Sequence, residues 1–93
     1  MRTIYKYPLR DVTETIALPL GARVVYVDDQ AGSHAAGALL TIWVELDTEQ
    51  PKTDRTFRVV GTGHEIPPTA VYVGTTPSRN RVFVWHVYEL VAA

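Results

Sequence analysis

Hydrophobic and polar positions alternate with a period of two along most of this chain, which is the spacing of a half-buried β-strand. Thr3-Ile4-Tyr5-Lys6-Tyr7 is rich in β-formers and predicts a first strand, ended by Pro8. Residues 14–18 predict a second. Pro19-Leu20-Gly21-Ala22 reads as a turn in which Gly21 is free to take a positive φ. Residues 23–28 are strongly β-forming and apolar on both faces, so a central strand is expected there. Residues 38–46 predict the next strand, because the β-branched run through Thr41, Ile42 and Val44 outweighs a helical reading of residues 35–40. A polar hairpin loop is expected at 47–54, a strand at 55–60 and another at 70–75. The last strand, 81–90, is expected to be the longest and most apolar, in the middle of a sheet or at a subunit contact.

No amphipathic helix of ten or more residues can be drawn anywhere. The fold class expected is all-β: a small antiparallel sandwich or partly open barrel of about six to seven strands, with little or no helix. The length of 93 residues fits a single domain, residues 1–93. With 46% hydrophobic and 20% charged residues, the composition suits a packed core. The net charge of −1 argues against nucleic acid or an anionic membrane as partner, unless Arg55, Arg58, Arg79 and Arg81 gather into one basic patch. There is no cysteine, so disulfides and thiolate metal sites are excluded and a cytosolic setting is expected. The first eight residues hold no continuous apolar run, so no secretory leader is expected in them.

Candidate chemistry concentrates in Gly61-Thr62-Gly63-His64, where a strand breaks into a loop. Glycines allow close backbone approach to an anion, amides donate to it, and His64 supplies a switchable proton. The dinucleotide and Walker patterns are both absent, so a strand-ending turn is the plainer reading. Arg58, Gly61, Thr62, Gly63 and His64 are therefore the candidate ligand- or partner-binding residues. His34, His64 and His86 lack the spacing of a metal motif, and no metal or cofactor is expected. Ser33 and Ser78 lie in turns, outside any nucleophile elbow, and Asp28-Asp29 reads as a solvated acidic turn. No nucleophile, base and orienting group can be assembled, so no catalytic residue is assigned. Phe83 and Trp85 share one face of the last strand, opposite His86 and Tyr88. With Val87 they are the candidate oligomer interface.

Three segments carry a resemblance. These are Ile4-Tyr5-Lys6-Tyr7-Pro8-Leu9, Arg55-Thr56-Phe57-Arg58-Val59-Val60-Gly61-Thr62-Gly63-His64-Glu65-Ile66-Pro67, and Val84-Trp85-His86-Val87-Tyr88-Glu89. Together the chain resembles a family of small uncharacterised proteins encoded by tailed phages, mostly of actinobacterial hosts. The resemblance implies a phage origin and carries no assigned activity and no site residues. The function expected is that of a non-catalytic phage accessory protein. It would bind a host or phage protein, or a small, nucleotide-type or other anionic ligand, in the host cytoplasm, as a homo-oligomer. The alternative is a virion component, decorating the head or associated with the tail.

Overall fold

The computed structural model describes residues 1–29 and 37–91. Seven strands run β1 (Arg2–Leu9), β2 (Thr13–Pro19), β3 (Arg23–Asp28), β4 (Leu40–Asp47), β5 (Lys52–Gly61), β6 (Ala70–Pro77) and β7 (Val84–Leu90). They form two antiparallel sheets, one of order β1-β4-β3 and one of order β2-β5-β7-β6. No helix occurs among the described residues. The all-β sandwich expected from the alternation is the fold observed.

The core lies between the sheets, where the period of two turns one face of each strand inward. Leu40, Ile42, Val44 and Leu46 of β4 meet Phe57 of β5 and Val87 of β7, and Leu9, Leu18 and Val27 close the cluster. β4 and β7 are each flanked on both sides by other strands, which is why they carry fully buried side chains.

Several expectations need correction. Pro8 does not end β1, which runs on to Leu9 with Pro8 opposite Thr41. β1 is an edge strand, and there a missing N–H need not break the ladder. β3 is an edge strand too, not a central one. Its second apolar face arises because Val25 is the extra residue of a bulge and Tyr26 packs on Trp43 at 5.4 Å across the sheet's outer face. Residues 47–54 are not a hairpin loop: β4 and β5 belong to different sheets, and Lys52, Thr53 and Asp54 already pair with β2. The longest strand is β5 with 10 residues, whereas β7 has 7 and starts only at Val84. The residues before Val84 form a turn in which Arg81 takes φ 61°. β7 does lie in the middle of its sheet.

Where β3 passes β6, Gly74 lies so close to Val27 that a Cβ on it would stand 2.7 Å from the Val27 Cγ2. At the other end of the sandwich, the Arg55 guanidinium grips Glu89 in a bidentate pair at 2.7 and 2.8 Å and also donates to the Ala22 carbonyl. That pair closes the inner layer where the apolar side chains run out.

Candidate functional site

The sequence Gly61-Thr62-Gly63-His64 forms a tight turn at the end of β5. The His64 N–H donates to the Gly61 carbonyl at 3.0 Å, and Gly63 takes φ 88°, a value that favours glycine. Gly61 is buried and its missing side chain has a purpose. A Cβ there would stand 2.9 Å from His64 Cε1 and 3.4 Å from Trp85 Cζ3. The turn thus folds the imidazole back over the strand end, next to the Trp85 indole.

A second turn faces this one. Residues 78–83 join β6 to β7, and their backbone is held from several directions. Ser78 N–H donates to the Phe83 carbonyl at 2.8 Å, and Arg81 N–H to the Ser78 carbonyl at 2.9 Å. Side chains complete the frame: Val82 N–H and Ser78 Oγ both donate to Asn80 Oδ1, at 3.0 and 2.7 Å, and Phe83 N–H donates to Ser78 Oγ at 3.1 Å. The turn is tied to the other sheet through Asp29, which accepts from the Arg79 N–H at 3.1 Å and pairs with the Arg79 Nε at 3.2 Å. Phe83 emerges with its ring stacked against Trp85, at 5.6 Å between centroids and 26° between planes.

Between these turns opens a cavity of about 460 Å³. His64, Trp85 and Phe83 form its aromatic wall. Val12, Leu39 and Val59 supply aliphatic surface, and Asp29, Arg79 and Asn80 supply the polar part. The lining comes from the link after β1, the approach to β4, the end of β5 and the β6–β7 turn.

The structure divides the residues singled out from the sequence. Gly61 and His64 line the cavity, with Gly63 setting the turn between them. Arg58 and Thr62 do not line it. Arg58 lies on the outer face of its sheet, where its Nε donates to Thr13 Oγ1 at 2.9 Å. Thr62 bonds His86 Nε2 at 3.0 Å, and the other His86 nitrogen meets Thr75 Oγ1 at 3.0 Å. His86 is thus the centre of a hydroxyl network on the outer face, away from His64. Phe83 is 55% exposed and Trp85 half-buried, and both belong to the cavity wall. Val87 is corrected as an interface residue: its exposure is 0%, so it packs within the chain and offers nothing to a second copy. Ser33 and His34 lie outside the described residues. Among the described residues no cluster of three potential metal ligands occurs.

The four arginines do not gather into one patch. Arg55 is spent on Glu89 and Arg58 faces outward, while Arg79 holds Asp29 at the cavity. Sequence reasoning missed Val12, Leu39, Asp29 and Asn80 as lining residues. Asp29 and Asn80 gave only turn signals, and no local pattern links Asp29 to Arg79 across the chain. No curated protein and no solved structure matches this chain. One family does match, over residues 1–93, and its description is a domain of unknown function, DUF7352. The chain belongs to that family along its whole length.

Proposed function

We propose that this chain is a non-catalytic binding protein, a phage accessory protein acting in the host cytoplasm, which captures a small ligand in the cavity between its two turns. The observation that carries the reading is that cavity of about 460 Å³, lined by aromatic, aliphatic and polar side chains. Its volume falls within the range of about 300–1,000 Å³ that suits small-molecule sites. Its walls are held by a glycine-dependent turn on one side and, on the other, by a turn whose Ser78, Arg79, Arg81, Val82 and Phe83 amides are hydrogen-bonded, and such preorganisation favours binding. The Ser78 hydroxyl at the cavity donates to Asn80 Oδ1 and accepts from the Phe83 N–H, and among the described residues no histidine or carboxylate is hydrogen-bonded to it.

The test uses tryptophan fluorescence. The chain has two tryptophans, and Trp43→Phe leaves Trp85 as the sole reporter. Titration with a panel of small aromatic compounds is expected to shift Trp85 emission saturably, and Phe83→Ala is expected to weaken that response. A panel that leaves Trp85 emission unchanged throughout would sink the small-ligand reading.

A second reading, a self-associating virion component, is favoured by a different surface. Ile4 and Tyr26 stand on the outer face of the β1-β4-β3 sheet with exposures of 52% and 55%, beside the Trp43 ring. Exposed apolar side chains on a sheet face are a feature of interaction sites. Mass spectrometry of purified particles, together with the mass of the protein in solution, decides it: absence from particles and a monomer in solution remove this reading.

A further inference from the structure

Building on the reading of the cavity as a ligand site, we infer that its ligand is a flat ring bearing an anionic head. The ring lies on the Phe83–Trp85 platform and the head is held by Arg79 and Asn80. The inference follows from which polar groups at the cavity are already used and which remain.

The acceptors already hold donors. Both Asp29 carboxylate oxygens serve Arg79, one its Nε and the other its backbone N–H. Asn80 Oδ1 takes two donors, and Ser78 Oγ donates once and accepts once. At the β6–β7 turn, what remains among the described residues is of one kind. The Arg79 Nη groups and the Asn80 Nδ2 make no hydrogen bond there, and all of them are donors. Unused donors on Arg79 and Asn80, one of them cationic, select a head that accepts: a carboxylate or a phosphate. Asp29 takes the Arg79 Nε and backbone N–H, and this contact holds the guanidinium in place.

The shape of the ligand's body follows from the rings. Phe83 and Trp85 are 5.6 Å apart and inclined at 26°. A third ring between them would need a separation of about 7 Å, twice the aromatic contact distance. The pair is therefore a platform on which one face of a ring can lie, not a slot. Val12, Leu39 and Val59 complete the apolar lining.

Calorimetry with matched probes tests this. Indole-3-acetate is compared with indole-3-acetamide, and adenosine monophosphate with adenosine, so that each pair differs in the charge of the head. The two pairs distinguish a carboxylate ligand from a phosphate one. In at least one pair the anionic member is expected to bind about ten-fold tighter or more, the usual worth of a charge-assisted contact. Arg79→Gln is expected to remove that preference, read as the ratio of affinities within each pair, and Arg79→Lys to keep part of it. Thermal melting of each variant confirms that it is folded. Equal affinity for anionic and neutral members overturns the inference and leaves the ligand-site reading standing. A preference that survives in folded Arg79→Gln overturns the placement of the head. Failure of every probe to bind, with Trp85 emission also silent to the wider panel, overturns both.

Discussion

At the scale of single residues, two positions define how closely the sheets approach and how their ends are closed. Gly74 faces Val27, a buried β-branched side chain with little freedom to turn aside. Gly74→Ala is expected to destabilise the fold by about 1–3 kcal/mol, the usual cost of overpacking. In a cycle with Val27→Ala the cost is expected to be less than additive, because the clash goes with the Val27 methyls; chemical denaturation measures both. Arg55 and Glu89 have side-chain exposures of only 23% and 17%. The Glu89 hydrogen bonds hold the Arg55 guanidinium above its ordinary pKa. Arg55→Ala strands a largely buried carboxylate, and a loss of about 2–3 kcal/mol is expected. The double replacement Arg55→Met with Glu89→Leu is expected to recover most of that loss, which denaturant midpoints would reveal.

At the scale of elements, the two turns at the cavity differ in how legible they are. The Gly61–His64 turn announces itself through its glycines, and Gly63 does take the positive φ such turns require. The turn over residues 78–83 is built by side chains instead. Ser78 and Asn80 together hold the Val82 and Phe83 amides, and Arg81 is kept at φ 61° without being glycine. Asn80→Ala removes the acceptor shared by Ser78 and Val82. A loss of about 1–2 kcal/mol is expected, together with faster hydrogen exchange at the Val82 and Phe83 amides. Exchange unchanged at both amides would show that Asn80 does not hold the turn.

At the scale of the whole molecule, the sandwich is thin. Its extents are 40 × 35 × 19 Å, and its radius of gyration of 13.1 Å exceeds the value of about 12 Å for a compact chain of this length. A single inner layer supplies the core, so contacts at the periphery weigh more in total stability. One of these is sensitive to pH. The Asp47 carboxylate accepts from the Glu49 amide and pairs with the terminal ammonium of Met1 at 3.1 Å, joining the start of β1 to the end of β4. The Glu49 amide first, and then the terminal ammonium, hold its pKa below the ordinary 3.8. A depressed carboxylate stabilises the fold above its unfolded pKa and ceases to do so as pH falls through the folded one. The melting temperature is therefore expected to fall on acidification below about pH 4, and Asp47→Asn to flatten that part of the profile. A wild-type and variant profile that run parallel through this range would remove Asp47 as the cause.

The strands themselves were decided locally. A period of two and β-branched residues act through the sterics of each segment, so seven strands, the absence of helix among the described residues, and the turns at Gly21 and Gly63 were all legible in the sequence. Which face of β7 turns inward was not legible: Trp85 and Val87 read as an interface, and Val87 is core. Which strand lies at an edge was not legible, because Arg23–Asp28 looks as apolar as a central strand and only pairing reveals that β6 and Trp43 cover it. The cavity was legible at one corner, Gly61 and His64, and nowhere else. Its other walls come from segments far apart in the chain: the Asp29–Arg79 contact spans 50 positions. Arg58 and Thr62 lie beside Gly61 in sequence, yet alternation sends them to the opposite face. A strand's conformation is the property of a few neighbouring residues, whereas a site is the sum of non-local pairings, and only the tertiary structure fixes those.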